Sequence, residues 1–436
     1  MSRICLIVAS CFCLLSLLAY GCGIKTEPAS VNETSSSVSV EPDSLSFIAE
    51  NDFDNRFGDL QLGLLDLGNA YIWHANRAGH FIYYYDRISE SSGVLCAKPE
   101  CVHDDPSFSG ENESCNGYAF IGVPTLSYYD GHIYWIASYK PSNEKACTAL
   151  MRMNPDGTGK EFVKRIDLPD NYRIQFFCIH RGQVFIYCYE QLVSSGEPQL
   201  AVNILTSDIK GSFESIFRKE YGSCFPYVYL RFISSHMYFF CALAENSESG
   251  FEYEIHRYDL ESGELEEMLS PIDFGNCIPT DFWVCDDETC YIATMASGEV
   301  PSCVYRVFND EPKLCFENKS FDDDRLYSAA YLGDGAVYAV GVSSSADSES
   351  VIGLWVRDYN GNTLAKGDMP LSYRSDLPGD HYLLAIYNIG GDSDTVLCEI
   401  AEAWRNAEYP ARHFLVRYRI IENHLEETLL ISTKQA

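Results

Sequence analysis

The sequence predicts an all-β protein, a seven-bladed β-propeller of four-stranded antiparallel blades, with six or eight blades as the adjacent alternatives. Two observations carry this expectation. Tight turns recur near Gly68, Gly131, Gly182, Ser235, Glu288, Gly335 and Gly391, at intervals of 63, 51, 53, 53, 47 and 56 residues, a spacing on the scale of a blade and longer than that of helical arrays. Each turn also belongs to a unit with two parts, an aromatic β-rich strand and then a second hairpin.

The first part is clearest in Gly131-His132-Ile133-Tyr134-Trp135-Ile136-Ala137, Gly335-Ala336-Val337-Tyr338-Ala339-Val340 and Gly68-Asn69-Ala70-Tyr71-Ile72-Trp73. The second part is a strand, a polar turn and a return strand, as in Leu150 to Thr158, Ile255 to Leu265 and Leu354 to Leu364. Asp156-Gly157 and Asn360-Gly361 are hairpin signals, because glycine takes a positive φ at no steric cost. A strand ahead of each turn (Ile174 to Cys178, Tyr227 to Ile233, Tyr382 to Tyr387) completes four antiparallel strands, which is one blade. The long first interval marks an insertion in the first unit. Units three, four and five depart from the Asp-Gly turn, with Arg181-Gly182, Ser234-Ser235 and Asp287-Glu288.

Seven units from Gly68 onward fill the chain of 436 residues, so one globular domain is expected over 52–436. The 46% apolar content supports a sizeable core, and 30 Tyr and 24 Phe suit stacked, amphipathic blades. Residues 1–21 read as an export signal, with Arg3 ahead of the apolar run Ile4 to Tyr20. Gly21-Cys22 then resembles the end of a bacterial lipobox, which would make Cys22 a lipidated amino terminus; Ala19 stands where Leu is commoner, and an uncleaved membrane anchor is the alternative. The rest of 22–51, rich in Ser, Thr, Val, Glu and Pro, reads as a solvated tether. An exported protein held to the outer face of the cell membrane is the expected location.

The formal charge is −32 and becomes −33 when Arg3 leaves with the leader. That balance argues against nucleic acid or anionic headgroups as partners, since both need a basic face. The surface reads first as a soluble, self-repelling one.

Fourteen cysteines remain beyond the leader and Cys22, and they fall into classes. Six positions after the turn residue, five units carry Ala137, Cys188, Cys241, Thr294 and Gly341, a pattern expected of a tight slot between blades, where cysteine acts as a small hydrophobe. Cys285 and Cys290 flank four polar residues in an expected hairpin and are a disulfide candidate. The most distinctive cluster lies in the insertion: Cys96, Cys101, His103 and Cys115, three thiols and an imidazole within 20 residues. This set suits structural zinc, although four residues separate the first two cysteines where two is usual; a disulfide within the group or to Cys147, or neither, are the alternatives. No other cofactor is expected.

With Tyr83-Tyr84-Tyr85-Asp86, Leu95-Cys96-Ala97-Lys98-Pro99-Glu100-Cys101-Val102-His103, the lipobox, the Ser-rich tether and the later Asp-Gly-x-Ile-Tyr turns, the chain resembles lipoproteins of gut-type Gram-positive bacteria that carry TolB-like propellers. The resemblance spans nearly the whole chain; the family has no established activity, so no catalytic residue is carried over.

Gly-x-Ser-x-Gly, His-Glu-x-x-His, a Walker loop and Cys-x-x-Cys-His are not found in the sequence. A propeller glycosidase or lyase would leave no linear motif, because its carboxylates or His/Tyr pairs come from different blades. Loops entering the innermost strands line one mouth of a propeller channel. The residues expected there are Tyr118, Tyr172, Arg173, Tyr227, Arg231, Asp281, Arg325, Tyr327, His381 and Tyr382. Converging aromatic and polar groups suit a sugar or peptide, although ordinary blade-edge packing explains the same residues. The acidic run Asp322-Asp323-Asp324 reads as a solvated loop with calcium as the sharper alternative. The expected function is therefore a non-catalytic binding or interaction module for a glycan, a peptide or an envelope protein. A carbohydrate-active enzyme with its site in the channel is the alternative.

Overall fold

The computed structural model describes residues 47–433 less 55–62, 76–80, 102, 104–113, 120, 141–144, 193–198, 247–249, 274–276, 286–288, 296–301, 309–310, 319–324, 333–334, 342–351, 373–380, 392–393, 405–411 and 422–423. Within them lie seven four-stranded sheets, each built from four consecutive antiparallel strands. Blade 1 is Gly63–Asp66 (β1), Ala70–His74 (β2), Ile82–Asp86 (β3) and Ser91–Val94 (β4). Blade 2 is Ile121–Tyr129 (β5), His132–Tyr139 (β6), Cys147–Met153 (β7) and Glu161–Arg165 (β8). Blade 3 is Tyr172–His180 (β9), Gln183–Leu192 (β10), Gln199–Asp208 (β11) and Glu214–Tyr221 (β12). Blade 4 is Tyr227–Ile233 (β13), His236–Leu243 (β14), Glu252–Asp259 (β15) and Leu265–Asp273 (β16). Blade 5 is Ile278–Val284 (β17), Thr289–Met295 (β18), Ser302–Phe308 (β19) and Glu311–Asn318 (β20). Blade 6 is Arg325–Leu332 (β21), Gly335–Gly341 (β22), Ile352–Asp358 (β23) and Thr363–Asp368 (β24). Blade 7 is His381–Gly391 (β25), Thr395–Trp404 (β26), Arg412–Ile421 (β27) and His424–Ser432 (β28).

The first strands of successive blades touch one another, β1 to β5, β5 to β9, β13 to β17, β17 to β21 and β21 to β25, so they are the innermost strands around the channel. Every recurring turn read from the sequence falls at the junction of a first and a second strand. At Asp130-Gly131 and Arg181-Gly182 both residues have positive φ (46° and 73°; 48° and 82°), the geometry that lets a two-residue hairpin follow strand twist. Unit three thus makes the same turn as unit two with Arg in place of Asp.

The apolar core is divided among the seams between blades. Ile133, Trp135 and Met151 of blade 2 pack on Leu65, Ile72 and Ile82 of blade 1. Phe240, Tyr253 and Ile255 of blade 4 pack on Phe282 and Ile292 of blade 5. Between blades 5 and 6, Trp283, Tyr291 and Tyr359 form a stack with centroids 5.5 and 4.5 Å apart. Of the slot residues, Ala137, Cys188, Cys241 and Thr294 are all buried. The ring closes without a shared blade: Trp73 and Leu64 of blade 1 meet Leu397, Leu415 and Leu430 of blade 7. Trp73 Nε1 donates to Glu399 Oε2 at 3.3 Å, and Glu399 Oε1 lies 3.0 Å from His413 Nδ1.

One element was not foreseen. Residues 47–54 cross the turns that join first and second strands in blades 2 and 3. Asp130 N donates to Glu50 O, and Arg181 N donates to Asn51 O at 2.7 Å. Phe53 inserts edge-on against Phe176 and Phe232 of blades 3 and 4. The Asp52 carboxylate is buried and accepts from Ile48 N and Arg181 Nε. His180 is the centre of the strap: Phe53 N donates to its Nδ1 at 2.9 Å, which leaves Nε2 as the donor to Ser234 O at 2.7 Å.

That pattern requires a neutral ring. Burial pushes the His180 pKa down to about 4, with the Ser234 carbonyl and the Asp52 carboxylate pulling the other way. An unfolded histidine titrates near ~6.5, so between the two values the unfolded chain binds the proton first. The contribution is complete above the unfolded pKa and is lost as pH falls towards 4, a loss of about 3 kcal/mol. Denaturant midpoints at pH 7 and pH 4 check this: the acid loss in the native chain should exceed that in His180→Gln, and equal losses would contradict it.

Candidate functional sites

The sheet order places the starts of all innermost strands at one end of the channel and the turns gripped by the strap at the other. Tyr172 opens β9 and is half-buried; burial and the Glu190 carboxylate raise its pKa, so it is a neutral phenol. Arg173 beside it is exposed and donates to the carbonyls of Asp170 and Tyr172. Tyr227 opens β13 with its ring edge-on to Phe251 at 5.4 Å. Arg325 opens β21 and His381-Tyr382 open β25, with Tyr327 two residues into β21; these four side chains, like Asp322-Asp323-Asp324, lie outside the described residues. Cys22 lies outside them as well.

Three residues expected at the mouth are elsewhere. Arg231 and Asp281 sit inside β13 and β17, both buried, with Nη2 to Oδ1 at 2.6 Å. Arg231 Nε also donates to Phe282 O at 2.7 Å, so the pair joins the innermost strands of blades 4 and 5 instead of facing a ligand. Tyr118 bridges Phe81 in the insertion, its ring edge-on to Phe81 at 5.6 Å. Nor do Cys285 and Cys290 join. The register pairs Val284 with Cys290, so Cys285 projects from the opposite face of the sheet. Cys290 packs in the seam between blades 4 and 5, while the Cys285 sulfur is 3.5 Å from the Tyr359 hydroxyl.

The insertion linking β4 to β5 brings its sulfur and imidazole groups together. The ligand atoms of Cys96, Cys101, His103 and Cys115 all lie within 4.8 Å of one another. Cys115 is buried under Phe81, with Val94 and Tyr118 around it. Burial alone would raise the Cys96 thiol, but the His103 imidazole and the backbone N–H groups of Lys98, Asn116 and Gly117 outweigh it and hold the pKa at about 6. Burial and its neighbouring sulfurs push Cys115 far up instead. Lys98 Nζ donates to Ser114 O, and Lys160 Nζ to the carbonyls of Cys115 and Tyr118. The segment is also fastened to blade 2, where Gly157 O in the β7–β8 turn accepts from Asn116 Nδ2 at 2.7 Å and from Ala97 N. Spacing signalled the four residues as a cluster; nothing in it pointed to the two lysines.

No protein-family model matches this chain, and no curated protein matches it. Solved structures similar to it include a β-propeller domain and several enzymes. The β-propeller domain of the Trilobed protease from Pyrococcus furiosus is 11% identical, with 87% of this chain and 97% of that one covered and a TM-score of 0.43. Oligogalacturonate lyase from Vibrio parahaemolyticus is 10% identical over 86% of this chain and 93% of that one, TM-score 0.47. The acylaminoacyl peptidase of Pyrococcus horikoshii is 11% identical over 90% of this chain, TM-score 0.44, and the chain spans about half (54%) of its length.

Proposed function

We propose that the chain is an exported, lipid-anchored propeller that captures a glycan or peptide at the mouth where the innermost strands begin. The observation that carries this is the strap. Residues 47–54 grip the turns at one end of the channel, so the described chain enters the domain at the end opposite that mouth. From Cys22 to Phe47 is 25 residues, a length that a solvated coil, as its composition suggests, would span in about 25–30 Å root-mean-square, enough to hold a domain off a membrane. Tyr172 and Tyr227, each beginning an innermost strand, supply flat apolar faces with a polar tip, and Arg173 supplies an exposed cation beside them. Such a set suits sugar rings or peptide side chains.

A glycan-array and peptide-pool screen on the chain from residue 22, with Cys22→Ser to prevent acylation, tests the reading. One ligand class should be retained, with affinity falling about tenfold or more in Tyr172→Ala and Tyr227→Ala. Phe162→Ala, at an exposed position on the outermost strand of blade 2, should leave it unchanged. Binding indifferent to both tyrosines would remove the mouth as the site.

A further inference from the structure

We propose that Cys96, Cys101, His103 and Cys115 form a closed zinc site that staples the insertion across the seam between blades 1 and 2. Tetrahedral zinc with sulfur ligands at ~2.3 Å sets those sulfurs about 3.8 Å apart. Four ligand atoms already within 4.8 Å of one another need only small side-chain rotations to reach that geometry. A disulfide would use two sulfurs and strand the third beside an imidazole, whereas here all three converge with the ring. The buried Nε2 of His103 has no hydrogen-bond partner among the described residues.

The backbone around the site is arranged for thiolates. N–H groups of Lys98, Asn116 and Gly117 point at the Cys96 sulfur and that of His103 at Cys101, the outer-shell donors that orient and stabilise metal-bound sulfur. His103 is held at a φ of 57°, a left-handed conformation that persists only where the surroundings over-determine it. Three thiolates and Zn²⁺ leave one negative charge, and the ammonium groups of Lys98 and Lys160, bonded to the carbonyls of Ser114, Cys115 and Tyr118, stand close to offset it.

Binding forms three Zn–S bonds and one Zn–N bond and releases to solvent the protons that the thiols still carry. With four protein ligands no position is left for substrate, so the metal's role is structural. It would hold the residues around Cys96 and Cys115 against the β7–β8 turn, where Gly157 O already receives Ala97 N and Asn116 Nδ2. This inference is independent of ligand capture at the channel mouth.

The test is zinc content of the full mature chain, purified reduced, equilibrated with zinc chloride and dialysed free of excess. One zinc per chain is expected, retained in Cys147→Ser, whose thiol lies outside the cluster, and lost in Cys101→Ser. To keep the test independent of how Cys101→Ser folds, cobalt chloride is titrated into metal-stripped native chain, which should develop the visible absorption of tetrahedral thiolate-bound Co²⁺. No zinc retained by the native chain, equal zinc in the two variants, or a colourless cobalt titration would overturn the site. So would a disulfide among Cys96, Cys101 and Cys115 found by peptide mass in the zinc-treated protein.

Discussion

Asp281→Ala is expected to lower folding stability by about 3–5 kcal/mol, read as a shifted denaturant midpoint. The reason is the environment of its partner. Arg231 is buried in the wall between blades 4 and 5, with Nη2 2.6 Å from the Asp281 carboxylate, which also accepts from Phe282 N. Removing the carboxylate takes away the counter-ion that sits 2.6 Å from a guanidinium held out of water. Desolvation therefore sets the size of the loss. The double variant Arg231→Met with Asp281→Leu should recover most of it, because it removes both charges and keeps apolar volume. If the double variant were as unstable as Asp281→Ala, the loss would come from packing and this electrostatic account would be wrong.

Trp73→Ala should be comparably severe, about 3–5 kcal/mol for deleting a fully buried indole. Its location makes the loss specific. Blade 7 is complete in its own four strands and ends the described chain on β28, so among the described residues no strand from the amino-terminal end is woven into it. Closure rests on side chains, with Trp73 packed against Leu397, Leu415 and Leu430 and bonded to Glu399. Hydrogen exchange should accordingly rise first in β1–β4 and β25–β28, leaving blades 3 and 4 protected. Uniform acceleration around the ring would contradict closure at this seam. Trp73→Phe separates the two contributions, since it keeps most of the apolar contact and withdraws only the Nε1 donor from a buried carboxylate.

What the sequence disclosed follows from how local each signal is. Turn chemistry and strand composition act over a few residues, and the seven recurring turns accordingly mark every junction of first and second strands. Tyr227 to Ile233 was legible to the residue. The insertion was legible as an excess in one interval, and its cysteines and histidine as a cluster within 20 residues. Contacts between blades left no such trace. Arg231 and Asp281 are 50 positions apart, Asp52 and Arg181 129, Trp73 and Glu399 326. Each residue alone reads as an ordinary strand or loop position, which is why two members of a buried pair were assigned to a solvent-facing mouth. The Cys285–Cys290 expectation failed on parity: a register that pairs Val284 with Cys290 turns Cys285 to the other face. The strap escaped notice because Phe53, Asp52 and Asn51 follow a Ser-rich stretch whose composition reads as solvated.

The measurement that tests ligand capture most directly is the mass of a retained ligand before and after prolonged incubation with the native chain. Binding weakened by Tyr172→Ala and Tyr227→Ala, with the ligand recovered at unchanged mass, is the predicted result. A ligand recovered cleaved, eliminated or otherwise shifted in mass would contradict capture and put a carbohydrate- or peptide-processing enzyme in its place.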